Sequence, residues 1–117
     1  MNNKRIGTAF EREMCGILAA QGYWVHFIVP DARGAQPFDI IAVKDGHAVA
    51  IDCKTCVADT FSIARLEENQ IMAFNRWISC GNDMPIIAVK HEDHIYRIRY
   101  DELIQKQKIK LRDEDEG

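Results

Sequence analysis

The spacing of apolar residues predicts an amphipathic helix near the start of the chain. Between Arg5 and Gln21 the apolar positions recur at intervals of three and four, at Ile6, Phe10, Met14, Ile17 and Leu18. This period places them on one face of an α-helix. Gly22 follows directly, and a glycine at this position typically ends a helix.

Short runs rich in β-branched and aromatic residues come next, and they predict β-strands. Three such runs span residues 23–29, 38–43 and 47–53. Lys44, Asp45 and Gly46 separate the last two, and an Asp-Gly pair favours a tight hairpin turn. The second and third strands are therefore expected to be adjacent and antiparallel.

The second half of the chain predicts a further helix and two more strands. The helix opens within Arg65–Gln70 and runs to about Ser79, the strands span residues 85–90 and 94–100, and a short helix covers 101–108. The main order is α-β-β-β-α-β-β. This order favours an α/β fold with a mixed β-sheet flanked by helices.

Polar residues interrupt the predicted hairpin at corresponding places. Side chains alternate between the two faces of a strand, so Asp52 and Lys54 share one face while Cys53 points to the core on the other. Asp39 stands at the entry of the partner strand, near Asp52 in a hairpin pairing. Two such carboxylates raise each other's pKa unless a cation lies between them. Their hard oxygen atoms favour Mg²⁺ or Mn²⁺.

A third carboxylate comes from the first helix. Glu11 lies about 100° around the helix from Phe10, at the margin of the apolar face, with Gly7 one turn earlier on the same side. A small residue there leaves room for a phosphate backbone to approach. On spacing alone, Glu11 and Glu13 also fit as solvated helix charges.

These residues carry a family resemblance. The segments Gly7–Glu13, Gln36–Ala42 and Ala50–Thr55 resemble, in order, the three signature segments of PD-(D/E)xK nucleases. Within that superfamily the chain is most similar to the small Holliday-junction resolvases of archaea, phages and Gram-positive bacteria. The resemblance covers roughly residues 4–99. It implies a restriction-endonuclease-like fold and an endonuclease that cuts branched DNA.

The resemblance also implies roles for individual residues. Glu11, Asp39, Asp52 and the backbone carbonyl of Cys53 would hold the metal ion, and Lys54 would act on the attacking water. A glutamine at the start of the second helix lies near the active site in resolvases and in the related VRR-type nucleases, and Gln70 matches it. Two departures stand out. Phe38 separates the proline from Asp39, and the acid before the lysine is Asp52 rather than the commoner glutamate.

Composition and charge limit the partners. With 117 residues and 47% apolar content, one domain over residues 1–112 is expected. The net charge of −3 includes four acids in the terminal segment 113–117, which is expected to be disordered; residues 1–112 carry 15 basic and 14 acidic residues, a net charge of +1. Metal binding would offset some of those acids, so a basic DNA-binding face is compatible with the composition.

The basic residues and a loop supply candidate DNA contacts. The loop over residues 30–37 is bounded by prolines and leads directly into Asp39. Contacts to phosphates would give binding that is sensitive to salt and largely independent of sequence. The expected DNA-binding residues are Lys4, Arg5, Arg12, Arg33, Gln36 and Arg65, with Lys44 and Arg76 as further basic candidates. Each of these side chains also fits as ordinary solvated surface.

Several alternatives stay open. Cys53 and Cys56 form a C-x-x-C pair, which suits a redox site or half of a zinc site, although a buried free cysteine in a reducing compartment is the commoner case. Other functions compatible with the sequence are a VRR-type or restriction-like structure-specific nuclease and an inactive DNA-binding module of the same fold.

A junction-resolving enzyme would act as a homodimer, because two symmetric nicks need two centres related by a two-fold axis. Trp77 or Phe61 would then contribute to the dimer surface. We expect a cytoplasmic protein without membrane association or a nucleotide cofactor, because the chain lacks a long apolar stretch and a signal-like start.

Overall fold

The computed structural model describes residues 3–29 and 36–111, with side chains from residue 8 onward. In chain order the elements are α1 (Asn3–Ala20), β1 (Trp24–Phe27), β2 (Ile40–Lys44), β3 (His47–Thr55), β4 (Thr60–Ser62), a short 3-10 helix (Ile63–Arg65), α2 (Glu68–Ser79), β5 (Ile86–His91), β6 (His94–Arg99), α3 (Tyr100–Lys106) and β7 (Lys108–Lys110).

Five strands form one mixed sheet in the spatial order β1-β2-β3-β5-β6. β3 and β5 are parallel, and the other neighbours are antiparallel. Because parallel strands need a long crossover, the chain between β3 and β5 accommodates α2. A second, two-stranded sheet pairs β4 with β7. The predicted mixed sheet flanked by helices is confirmed.

β2 and β3 form the predicted hairpin. Asp45 and Gly46 have φ angles of 53° and 80°. Two consecutive positive φ angles are typical of the type I′ turn, whose twist matches that of the flanking strands. The resulting register sets Ile40 opposite Ile51. Asp39 and Asp52, one residue further along each strand, are therefore neighbours.

The sheet separates two hydrophobic cores. On one face α1 packs against the sheet, with the buried residues Phe10, Met14, Leu18, Ile40, Ala42, Ile51 and Ala88. On the other face α2, α3 and the small sheet cover the strands, with a core that includes Phe38, Ala50, Phe61, Phe74, Ile87, Val89 and Leu103. β3 contributes alternate side chains to both cores, as its period of two requires. β3, which carries Asp52 and Lys54, therefore packs against a hydrophobic core on each of its two faces.

The structure differs from the sequence prediction in its smaller elements. The strands β4 and β7 were not predicted, because three residues are too few for an alternating pattern to show. α2 begins at Glu68, within the predicted Arg65–Gln70 segment, but Arg65 itself lies in a 3-10 helix that was not predicted. The final helix ends at Lys106, and Lys108 already belongs to β7.

The prediction that Phe61 lies on a dimer surface is wrong. Its side chain has no exposed surface, because it points from β4 into the core. Trp77 is half-buried. Its ring packs edge-on against Phe38, with centroids 5.4 Å apart, and its indole N–H donates to the Asp83 carbonyl over 2.9 Å. Both residues serve packing within the chain.

The extent of the domain, residues 1–112, stays a prediction, and the acidic segment 113–117 lies outside the described residues. Within the ranges that are described, no helix is both long enough and apolar enough to cross a membrane.

Candidate active site

Asp39 is fixed between two strands at the edge of the hairpin. It directly precedes β2, and 5% of its surface is exposed. Its backbone N–H donates to the Ile51 carbonyl over 3.0 Å, and its Oδ2 accepts from the Cys53 backbone N–H over 2.8 Å. These two bonds hold the carboxylate beside Asp52, as the hairpin register predicts.

Asp52 is the most deeply buried charged group of the site, with 1% of its surface exposed. Its Oδ1 accepts a hydrogen bond from Gln70 Nε2 over 2.8 Å. Its Oδ2 lies 3.3 Å from Lys54 Nζ, within ion-pair distance, but receives no hydrogen bond. Burial raises the pKa of Asp52, the charge of Asp39 raises it further, and Lys54 opposes both. The site therefore holds negative charge that is only partly compensated.

Gln70 connects Asp52 with Lys54 through one side-chain amide. Its Oε1 accepts from Lys54 Nζ over 3.3 Å and from the Glu67 backbone N–H over 3.1 Å. The second bond belongs to a capping box at the start of α2, formed by Glu67 and Gln70. Because Oε1 faces two donors, Nε2 faces Asp52. Helix capping thus sets the orientation of the amide, and the structure places Gln70 among the predicted site residues.

Glu11 lies on α1 at the edge of this group and is half-buried. Burial first, and then repulsion from Asp39, raises the pKa of Glu11 to about 7, while Lys54 acts in the opposite direction. A fully solvated helix charge would not respond in this way. Glu13, by contrast, is exposed and forms an ion pair with Lys90 over 2.6 Å. The alternative of a solvated surface charge therefore suits Glu13 better than Glu11.

The donor chemistry of these residues fits a divalent cation. Three carboxylates supply hard oxygen atoms, and Asp52 Oδ2 is a buried oxygen without a hydrogen-bond donor. A cation would also relieve the repulsion that raises the pKa of Glu11 and Asp52. Among the described side chains, however, no group of three acids, thiols or imidazoles is already arranged as a ready metal site. Metal binding would therefore require side-chain adjustment, for which the half-buried Glu11 has the most freedom.

The cysteines do not form a zinc or redox pair in this structure. Cys53 and Cys56 are both free. Cys53 points to the α1 side of the sheet, where burial, followed by the charges of Asp39 and Asp52, raises the pKa of its thiol. Cys56 is buried, and its Sγ donates to the Ala58 carbonyl over 3.2 Å. A high pKa disfavours the thiolate that zinc binding and disulfide exchange require.

The candidate DNA-binding residues lie at different distances from the carboxylates. Arg12 is exposed on α1 beside Glu11. The Gln36 carbonyl accepts from Asn69 Nδ2 in the first turn of α2 over 3.4 Å, and Gln36 Oε1 is buried without a partner. Arg65 is exposed after β4, and its guanidinium donates to the Thr55 carbonyl over 2.9 Å. Both Gln36 and Arg65 therefore flank the strands and the helix that carry the site.

Three of the predicted DNA contacts lie outside the described side chains. Lys4 and Arg5 belong to α1, but the described side chains begin at residue 8, and Arg33 lies outside the described residues. Their roles stay predictions.

Sequence reasoning missed Lys90. It is the fifth residue of β5 and pairs with Thr55 of β3. Its Nζ contacts Glu13 over 2.6 Å and lies 6.0 Å from the centre of the Phe10 ring. A lysine at the end of an otherwise apolar strand was the available signal. This contact ties the turn of α1 that includes Glu11 to the central strands.

Comparisons with known proteins identify the family of this chain. A family model described as archaeal Holliday junction resolvase (Hjc) matches residues 2–116. The crossover junction endodeoxyribonuclease Hje of Saccharolobus islandicus is 30% identical over 100 residues, which is 82% of this chain and 72% of that protein. The crossover junction endodeoxyribonuclease Hjc of Methanocaldococcus jannaschii is 30% identical over 86 residues, 74% of this chain and 59% of the relative.

A solved structure shows the same fold. Hjc of Archaeoglobus fulgidus, a Holliday junction resolvase from an archaeal hyperthermophile, superposes with a TM-score of 0.65 at 20% identity, over 87% of this chain and 85% of that one. The mixed sheet and the order of its elements are thus shared with a resolvase. Together with the match over almost the whole sequence, this shows that the chain belongs to the archaeal Holliday junction resolvase family of the PD-(D/E)xK nuclease superfamily.

Proposed function

We propose that this protein is a Mg²⁺- or Mn²⁺-dependent endonuclease that hydrolyses phosphodiester bonds in branched DNA, with the four-way junction as its main substrate. The observation that carries the proposal is the buried Asp52 carboxylate, which shares the Gln70 amide with Lys54 and lies beside Asp39. The names of the relatives, which describe crossover junction endodeoxyribonucleases, support the choice of substrate.

Four groups would hold the metal ion: the carboxylates of Glu11, Asp39 and Asp52 and the backbone carbonyl of Cys53. Bound there, the ion would polarise the scissile phosphate and lower the pKa of an attacking water. Asp39 is held in place by the Cys53 backbone N–H, and Asp52 by Gln70. Such outer contacts fix the direction of a ligand's oxygen atoms before the metal binds.

Lys54 would act on the water or on the charge that develops in the transition state. Its Nζ has 3.3 Å contacts to both Asp52 Oδ2 and Gln70 Oε1, and 19% of its side-chain surface is exposed. The ammonium group is therefore positioned at the boundary between the buried acids and solvent. A charge fixed in this way stabilises a developing negative charge without reorganisation.

The DNA backbone would lie across the surface between α1 and the start of α2. Arg12, Gln36 and Arg65 would contact the DNA along this surface, and contacts from Lys4, Arg5 and Arg33 are proposed from the sequence alone. Contacts of this kind position the duplex but do not read its sequence. Selectivity would then come from the shape of the branch, which two active sites can measure together.

A second copy of the chain would supply the second active site. The exposed face of β1 offers a surface for it, which we name the Trp24 patch: Trp24, His26, Ile41 and Val43. Trp24 is 62% exposed and stacks on His26, and these two residues pair with the half-buried Val43 and Ile41 on β2. An exposed tryptophan beside partly exposed apolar residues suits an interface. The homodimer would work in the cytoplasm.

The proposal is tested with four-way, flap and linear duplex DNA of matched sequence. Cleavage is expected only with Mg²⁺ or Mn²⁺, with the four-way junction cut fastest, and Asp52→Asn should abolish nicking while junction binding persists. Asp45→Asn is the matched control, because it removes a carboxylate at the opposite end of β3 where asparagine suits the turn. Equal cleavage of all three substrates would favour a general or VRR-type nuclease. Nicking by Asp52→Asn would rule out this metal site.

A further inference from the structure

A cavity of about 730 Å³ lies on the α1 side of the sheet, and none of the three carboxylates of the candidate active site lines it. Its walls come from the C-terminal half of α1, the first residues of β3 and β5 and the last residues of β6, and its apolar lining includes Met14, Leu18, Val49, Ile51 and Ile86. Asp52 and Lys54 point to the opposite face of β3 and lie further along it. The cavity is therefore separate from the candidate active site.

The size and lining of this cavity suit a small ligand. Binding pockets for small molecules typically measure about 300–1,000 Å³ and combine apolar walls with a few polar groups that fix the orientation of the ligand. Here the apolar walls belong to the core on the α1 side of the sheet. The exposed polar residues of the rim are the cations Lys44, Arg97 and Arg99, the acids Asp45 and Asp83, and His47, which pairs with Asp83.

Two cations converge at that rim on a single neutral residue. Lys44 Nζ donates to the Gln21 backbone carbonyl over 2.7 Å, and the Arg97 guanidinium donates to Gln21 Oε1 over 3.1 Å. Lys44 also serves α1, because it binds a carbonyl at the end of that helix. Neither contact brings a negative charge to the two cations. Gln21 presents two neutral oxygen atoms where a carboxylate could accept from both donors.

We propose that this cavity binds an amphipathic carboxylate, with its head between Lys44 and Arg97 and its aliphatic or aromatic body against the walls formed by Leu18, Val49 and Ile86. On binding, Lys44 and Arg97 each exchange a hydrogen bond to a neutral oxygen atom for one to a carboxylate oxygen, so that both partners of each bond are charged. The apolar body contacts the buried Leu18 and the half-buried Val49 and Ile86. The proposal does not depend on nuclease activity.

Octanoate is the probe, and octanol, which lacks the charge, is its matched control. Calorimetric titration of the intact protein should show saturable binding of one octanoate per chain, with octanol weaker by about tenfold or more, since hydrogen bonds to charged groups exceed neutral ones. Arg97→Ala and Lys44→Met should each lower the affinity for octanoate by a similar factor and leave the affinity for octanol unchanged. Val49→Phe, which fills the cavity and keeps both cations, should lower the affinity for both ligands.

Arg76→Ala is the control for loss of positive charge, because Arg76 is exposed on α2 at the other face of the sheet. Melting curves show whether each variant is folded, and Lys44→Met and Arg97→Ala alter exposed residues that a folded chain tolerates. Equal binding of octanoate and octanol, unchanged affinity in Arg97→Ala, or no saturation with octanoate would each overturn the proposal. So would dimerisation that is lost in Arg97→Ala, because a second copy would then occupy the cavity.

Discussion

Gln70 donates a hydrogen bond from Nε2 to Oδ1 of Asp52 over 2.8 Å, and both side chains are buried. The donor belongs to the first turn of α2 and the acceptor to the middle of β3. The bond therefore connects the start of a helix with the strand that carries the acids. A substitution that moves the start of α2 is therefore expected to change the orientation of the Asp52 carboxylate.

We expect Gln70→Ala to slow nicking by about 10- to 100-fold, the range found when contacts that orient metal ligands are removed. The same change leaves a buried carboxylate oxygen without its donor, which costs about 1–3 kcal/mol of unfolding free energy. Single-turnover cleavage of a four-way junction and urea unfolding measure the two effects. Gln105→Ala, an exposed glutamine on α3, is the control. Full activity in Gln70→Ala would show that Gln70 serves only to cap α2 and that its hydrogen bond to Asp52 does not support catalysis.

In the absence of metal, stability should fall as the pH rises. The pKa of Asp52 is raised in the folded protein, so folding favours its protonated form. The resulting stability is complete below the ordinary aspartate pKa of about 4, and it is lost as the pH rises through the higher folded-state pKa. With EDTA, the melting temperature should therefore drop between pH 5 and pH 8 by roughly 4 °C or more, equivalent to about 1 kcal/mol for a domain of this size.

Two variants and one ion check this assignment. Asp52→Asn should remove most of the pH dependence, whereas Asp45→Asn should retain it. Adding Mg²⁺ at pH 8 should raise the melting temperature of the wild type, because a ligand that binds only the folded state stabilises it. The half-buried Glu11, with its pKa of about 7, should contribute less because solvent screens it. A melting temperature that is constant from pH 5 to pH 8 in EDTA would contradict the burial of an uncompensated acid.

The Glu13–Lys90 ion pair offers a test of how α1 is positioned. We expect Glu13→Lys to slow nicking by a few fold or more, because two cations then repel each other at the turn that carries Glu11. The double variant Glu13→Lys with Lys90→Glu restores the opposite charges and should recover part of the loss. Both partners are partly exposed, so the coupling energy should be about 0.5–1 kcal/mol. If the double variant is no better than the worse single variant, Lys90 acts by another route, such as direct contact with DNA.

The Trp24 patch should control the oligomeric state. We expect Trp24→Lys and Val43→Asp to convert a dimer to a folded monomer, because each places a charge in an apolar interface core, where charged residues are depleted. Light scattering after size-exclusion chromatography measures the mass, and circular dichroism checks the fold. Met72→Lys is the control, since Met72 is 64% exposed on α2 and lies outside the patch. A dimer that survives both patch variants would place the interface elsewhere.

The central elements could be predicted from sequence because each has a strong local signal. The three-and-four spacing from Ile6 to Leu18 predicted α1, and the Asp45-Gly46 turn fixed the register that brings Asp39 next to Asp52. Side-chain contacts between residues that are far apart in the sequence could not be predicted in this way. No local pattern shows that Lys90 reaches Glu13, or that Gln70 turns its amide between Asp52 and Lys54, because these contacts depend on how helices cross the sheet.

Phe61 shows how a short element can mislead. The sequence around Phe61, with the polar residues Thr60 and Ser62 on either side, does not indicate whether the aromatic side chain faces the core or solvent. Its burial depends on the pairing of β4 with β7, almost 50 residues later. Similarly, the Trp24 patch follows from the position of β1 at the edge of the sheet, which its own four residues do not reveal.

β3 occupies the middle of the five-stranded sheet, with β2 on one side and β5 on the other. Backbone amides in such a strand exchange with solvent deuterium only when the whole sheet opens, whereas edge strands exchange through local fluctuations. The amides of Asp52 and Lys54 should accordingly be among the slowest to exchange. The backbone that carries Asp52 and Lys54 would then keep its position for as long as the protein remains folded, and the mobility needed to accept a metal ion and a branched substrate would have to come from side chains, from the DNA and from the periphery of the domain.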